Sequence, residues 1–240
     1  MAGNGKLRIG LFGAGGRMGG AIARAAAASD DVEIAGATEG AEADVFVDFT
    51  APDALEENLR IATEAGRPIL VGTTGLGDAN RRSLEAAAKA VAVIHAPNTS
   101  LGVNLVRHLV GEAAARLGPE WDIEVLEMHH RDKKDAPSGT ALLLGASAAA
   151  GRGSTLEALS RFDRVGGGRR EPGTIGYVSL RGGSVAGEHV VIFAGDGERI
   201  ELGHRAESRA IFARGALAAA RWLAGRPAGL YTMADVLGLP

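Results

Sequence analysis

Two periods of apolar residues alternate along the first part of the chain. Short runs rich in branched residues at 7–12, 32–38, 44–49, 68–71 and 91–95 read as strands. Between them, alanine-rich or amphipathic stretches at 18–28, 52–65 and 80–90 read as helices, the second opened by Pro52. Such alternation predicts an α/β domain, a Rossmann-like parallel sheet with helices on both faces. Beyond residue 100 the character changes. A helix is expected at 103–117, a half-buried strand at 122–128 and a helix at 140–150, followed by a glycine- and arginine-rich stretch, 151–173, that reads as mobile or partner-covered. Three short strands, 175–180, 188–193 and 199–203, joined by turns at Gly182-Gly183 and Gly195-Asp196-Gly197, predict a mostly antiparallel sheet in an α+β domain. A helix at 211–223 closes the pattern.

Composition narrows the classes. The 240 residues are 46% hydrophobic, enough for a buried core in one large domain or two small ones, and no apolar run approaches the ~20 residues of a membrane helix. The start of the chain lacks a secretory build, so the cytoplasm is the expected location. With no cysteine there is no disulfide, thiolate or Cys-based metal site, and a net charge of −3 argues against nucleic acid as a partner.

The densest chemistry lies at 127–141, EMHHRDKKDAPSGTA. An imidazole exchanges protons near neutral pH, Lys133 and Lys134 neutralise anions, and a helix start at Gly139 and Thr140 offers N–H groups to a carboxylate. His129 and His130 follow a strand whose residues alternate faces, so they have different neighbours and different jobs. The plainer reading is a solvated charged loop with Ser138 or Thr140 as a helix cap, and Lys134 fits that reading. Metal binding is not expected, because adjacent strand positions diverge and no HxxxH spacing exists.

A second cluster follows the first strand. Gly13, Gly15, Gly16 and Gly19, with Ala14, Arg17 and Met18 between them, form a tight turn opening a helix, suited to a pyrophosphate although Met18 breaks strict GxGxxG spacing. Glu39, after the second strand, is placed to accept from ribose hydroxyls. Residues 72–75 (Gly72, Thr73, Thr74, Gly75) and 96–99 (Ala96, Pro97, Asn98, Thr99) end later strands, on the edge where doubly wound sheets bind ligands.

The 129–141 segment, HHRDKKDAPSGTA, resembles the signature of dihydrodipicolinate reductase of bacterial lysine biosynthesis. Landmarks similar to that family's follow in order along nearly the whole chain: GAGGRMG at 13–19, DFT at 48–50, GTTG at 72–75, PNTSLGVN at 97–104, PGTIGY at 172–177 and GEH at 187–189. The resemblance implies an NAD(P)H-dependent reductase acting on a cyclic imine dicarboxylate, with hydride delivered to ring C4 and a proton to the adjacent carbon. It implies His129 as the acid/base, Lys133 as its cationic partner, and His130, Gly139 and Thr140 as binders of carboxylate and ring nitrogen. It places the 72–75 and 96–99 segments on the nicotinamide side.

The resemblance also implies a homotetramer, and a discontinuous dinucleotide-binding domain (1–100 with 210–240) around a substrate-binding and oligomerisation domain (101–209). Two departures from the family are Thr99, where many relatives carry an aromatic, and a short 41–44 segment. Glu39 followed by Gly40 rather than arginine favours NADH over NADPH. Two other readings share these features: a dehydrogenase or imine reductase for another small acid, and a nucleotide-sensing regulator without chemistry.

Overall fold

The computed structural model describes residues 5–36, 42–162 and 166–240. The chain divides into two compact units, one of Met1–Leu101 with Ala210–Pro240 and one of Gly102–Arg209.

In the first unit, strands β1 (Leu7–Phe12), β2 (Val32–Ile34), β3 (Val45–Asp48), β4 (Ile69–Val71) and β5 (Ala92–His95) are joined by β11 (Gly229–Tyr231) in one sheet. Its order is β11-β5-β4-β3-β1-β2, and every pairing is parallel. Strands buried on both faces appear in sequence as continuous apolar runs, as β4 does with Ile69, Leu70 and Val71 all buried. Alternate residues then feed two cores. Ile9, Leu11, Val47 and Ile94 pack with α1 (Arg17–Ala27) and α7 (Ala210–Leu223), while Phe46, Ile69, Val71 and Val93 pack with α2 (Leu55–Glu64) and α3 (Asp78–Ala87). Strand β11 and α8 (Met233–Leu237) were not expected; Gly-Leu-Tyr in β11 has no branched run to register.

The second unit holds α4 (Leu101–Arg116) apart from its first residue, β6 (Asp122–His129), α5 (Gly139–Gly151), α6 (Leu156–Leu159), β7 (Ser160–Arg161), β8 (Ile175–Arg181), β9 (Gly187–Gly195) and β10 (Glu198–Ala206). The sheet order is β10-β9-β6-β8-β7. Pairings β10/β9 and β9/β6 are antiparallel, and β6/β8 and β7/β8 parallel. The Gly195-Asp196-Gly197 hairpin is present, with Glu198 opposite Gly195. The Gly182-Gly183 hairpin is not: β6 lies between β8 and β9, so this linker crosses the end of β6 rather than joining neighbours. It is held there by Gly182 N–H donating to the His129 carbonyl (2.9 Å) and Arg131 N–H to that of Gly183 (3.2 Å).

The described parts of the 151–173 stretch, read from composition as mobile or partner-covered, hold regular structure. It contains α6 and β7, and the Arg170 guanidinium donates to Asp122 (2.8 Å), Glu124 (3.0 Å) and the carbonyls of Ile123 (2.9 Å) and Thr174 (2.6 Å), which pins the segment to β6.

Candidate active site

Strand β6 buries every second residue. Ile123 and Val125 join Ala141, Leu144 and Ala148 of α5 in the core, and two steps further the same row reaches Glu127 (1% exposed) and His129. The row that seeds the core thus ends in a buried carboxylate and imidazole. The His129 Nδ1 atom lies 2.5 Å from Glu127 Oε2. Arg181, at the end of the neighbouring strand β8, clamps the same carboxylate with Nη1 on Oε2 (2.9 Å) and Nη2 on Oε1 (2.8 Å), and the Ser138 N–H donates to Oε1 (3.2 Å). Burial pushes the Glu127 carboxyl up, but hydrogen bonds from Arg181, Ser179 and His129 outweigh it and bring it down to about 2. His129 is lowered from the ordinary histidine value: burial dominates, and Lys133 and Arg181 add to it against the pull of Glu127.

Ser138 caps α5, accepting from Ala141 N–H (3.2 Å), while its hydroxyl also meets His189 Nε2 (2.9 Å). The His189 ring stands edge-on to His129, centroids 5.0 Å apart, and burial with the nearby His129 pulls its pKa to about 4. Gly139 and Thr140 form the first turn of α5, and open space surrounds the position of a Cβ at Gly139. Lys133 Nζ donates to both carboxylate oxygens of Asp135 (2.8 Å each). His130 lies beyond the strand, its Nε2 accepting from Arg209 (3.0 Å), so the two histidines do have different surroundings. The second unit therefore gathers His129, His130, Lys133, Gly139 and Thr140 at the C-terminal end of β6 and the start of α5. Lys134 is exposed.

Sequence reasoning assigned no role to Glu127, Arg181 or His189, and treated Ser138 as a cap alone. Glu127 was legible from the two-residue period, and His189 stands in the GEH landmark; Arg181 carried no local signal. Among the described residues no group of three His, Cys, Asp or Glu side chains is arranged to hold a metal ion, and no helix is long and apolar enough to cross a membrane.

In the first unit the glycine loop joins β1 to α1. Gly13 has φ +81°, Gly16 N–H donates to its carbonyl (2.9 Å), and a Cβ at Gly19 would lie 2.1 Å from that same oxygen, so the turn excludes side chains. Gly16 is the N-cap of α1, no acid stands in the first turn, and Ala14, Gly15 and Arg17 are exposed, with Met18 partly so. A helix start that carries neither a capping side chain nor a carboxylate fits a pyrophosphate.

At the ends of β3 and β4, Asp48 Oδ1 accepts from Thr50 N–H (2.9 Å) and the hydroxyls of Thr50 (2.6 Å) and Thr73 (3.3 Å), which ties the two loops together. Gly72 and Thr73 are buried and Thr74 exposed; Ala96 is buried, Pro97 exposed and Asn98 between. Thr99 is buried and donates its hydroxyl to the Phe212 carbonyl of α7 (2.7 Å), which ties the segment to that helix. Glu39 lies outside the described residues.

The chain matches known proteins along nearly its whole length. Residues 102–237 match the family dihydrodipicolinate reductase, C-terminus, and 7–43 with 38–99 match dihydrodipicolinate reductase, N-terminus. The chain is 55% identical to the 4-hydroxy-tetrahydrodipicolinate reductase of Zymomonas mobilis, covering 97% of this chain and 98% of that one. It is 45% identical to that of Rhodopseudomonas palustris, covering 98% of each. In fold it is similar to the dipicolinate-bound dihydrodipicolinate reductase of Paenisporosarcina sp. TG-14, with a TM-score of 0.79 at 21% identity over 96% of this chain and 98% of that one. The chain is an oxidoreductase and belongs to the dihydrodipicolinate reductase family.

Proposed function

We propose that the chain reduces 4-hydroxy-tetrahydrodipicolinate with NADH or NADPH and a proton, giving tetrahydrodipicolinate, oxidised cofactor and water. When bound, the reduced nicotinamide supplies the hydride for ring C4. The residues that would hold the dinucleotide are Gly13, Ala14, Gly15, Gly16, Arg17, Met18 and Glu39 on the adenosine and pyrophosphate side, with Gly72, Thr73, Thr74, Ala96, Pro97, Asn98 and Thr99 toward the nicotinamide.

The observation that carries the reading is a buried imidazole anchored at Nδ1 beside a helix start and a lysine. His129 gives the proton to the carbon next to C4 once hydride has made the ring electron-rich. Lys133, exchanging Asp135 for substrate, neutralises developing charge, while His130, Gly139 and Thr140 bind a carboxylate and the ring nitrogen. The test is loss of reduced-nicotinamide absorbance with the freshly made product of dihydrodipicolinate synthase, set against other keto and imino acids. Equal or better turnover of another acid would favour the second enzyme reading, and binding without any turnover would favour a regulator.

NADH should be favoured over NADPH. A carboxylate at Glu39 accepts from a ribose 2′-hydroxyl but repels a 2′-phosphate by roughly 3 kcal/mol per unit charge at ~5 Å before screening. After screening, kcat/KM at low ionic strength should favour NADH about tenfold. A preference for NADPH would show that Arg17, exposed at the start of α1, takes the phosphate instead.

We also propose a cytoplasmic homotetramer. The face of the second sheet opposite α5 presents Leu126, Met128, Val178, Leu180, Val190 and Ile192 on β6, β8 and β9, with Val178 46% and Leu180 43% exposed. A continuous apolar sheet face of this kind calls for a partner, and another copy supplies one symmetrically. Light scattering at micromolar concentration should give the mass of four chains; the mass of one would refute the assembly.

A further inference from the structure

We infer that Glu127 is the positioning residue for His129: its carboxylate, locked by Arg181, holds the imidazole as the Nδ1–H tautomer, so that Nε2 alone exchanges the proton with substrate. This rests on the reading of His129 as proton donor. An ionised carboxylate only accepts, so the hydrogen shared between Oε2 and Nδ1 at 2.5 Å belongs to the ring. Glu127 has no freedom to turn away, since Oε1 is occupied by Arg181 and the Ser138 N–H, and Oε2 by Arg181 together with His129. Both residues stand on one face of β6, two positions apart, so the register of the strand sets their spacing.

Among the described residues the other ring nitrogen has no hydrogen-bond partner. A Cβ at Gly187 would lie 3.1 Å from His129 Nε2, and that position is a glycine, which keeps side chains out of the way. The charged and titratable groups around the ring are Glu127 on its own strand, Lys133 in the following loop, Arg181 on β8 and His189 on β9. Burial of the ring, with Lys133 and Arg181 beside it, opposes the pull of Glu127. The carboxylate thus orients the imidazole without holding it permanently protonated, as a group cycling between acid and base requires.

The tautomer can be read on the intact protein by 15N-histidine NMR, above the titration of the ring, with the His129→Gln spectrum assigning the signals. The expected result is a protonated Nδ1 and a bare Nε2. A protonated Nε2, or an average of both forms, would overturn the inference whatever Glu127 variants do. In kinetics, Glu127→Gln should lower kcat/KM on the order of 100-fold with little change in KM for reduced nicotinamide.

The same variant removes an anion that favours the imidazolium and leaves Arg181 unopposed. Its falling alkaline limb should therefore move about one pH unit lower, and Glu127→Asp, which keeps the charge, should bring the limb back. A Glu127→Gln enzyme that loses only stability, with turnover and limb unchanged, would make the residue structural and refute its positioning role. Because the tautomer is read without turnover, this test stands apart from the substrate assay.

Discussion

Replacing His129 with glutamine should lower kcat by about 100- to 10,000-fold while the KM for reduced nicotinamide stays within about twofold. The glutamine amide keeps a hydrogen-bonding group near Glu127, so the buried carboxylate is not abandoned, but it cannot give up a proton at neutral pH. The glycine loop that would hold the pyrophosphate belongs to the other unit, on β1 and α1, and no residue there is altered. Lys133→Ala should act in the same direction. Steady-state kinetics with the family substrate decides: near-native kcat in either variant would remove that residue from the chemistry.

Arg181→Met should have the largest effect on stability. Arg181 is the main counter-charge of Glu127, and it also donates to the Asp135 carbonyl (2.7 Å), which steadies the loop carrying Lys133. Methionine fills similar space without charge and leaves a carboxylate buried beside a lone imidazole; breaking a buried pair in this way costs about 3–5 kcal/mol.

The sign of the pH dependence follows. In the native protein the Glu127 carboxyl is lowered to about 2, so it contributes stability that is present above its unfolded value near 4.5 and is lost as pH falls toward 2. Without Arg181 the foremost of the hydrogen bonds that hold the carboxyl down is gone while burial still pushes it up, so its pKa climbs from the native value and the variant is relieved as pH falls and the group takes up a proton. His129, freed from the repulsion of Arg181, can also charge and pair with it. Urea unfolding followed by Trp121 emission in a Trp222→Phe background should show the gap between native and variant to be widest near pH 8 and narrower at pH 5. A gap that is constant or widens on acidification would show that Glu127 is not the group affected.

Much of the first unit could be read from periodicity because its strands are buried on both faces and appear as apolar, branched runs, such as Ile69–Val71. The limits were equally physical. An edge strand such as β11, Gly-Leu-Tyr, has no branched run to detect, and Gly182-Gly183 has the composition of a hairpin turn although it serves as a crossover. Local turn chemistry reports that the chain bends; it does not report which strand is met next.

The strand, glycine turn and helix of the first unit, the histidine pair at the end of a strand, and the helix start at Gly139 and Thr140 were all legible in the chain alone. These are local matters of alternation, capping and backbone freedom over a few residues. The tertiary structure decided what surrounds the imidazole. Arg181 meets Glu127 across 54 positions and His189 meets Ser138 across 51, because β8 and β9 flank β6 in a register set by burying Val125, Tyr177 and Val191 against α5. A shift of one residue in either pairing would turn those side chains to the opposite face, so the site depends on core packing that no short motif encodes.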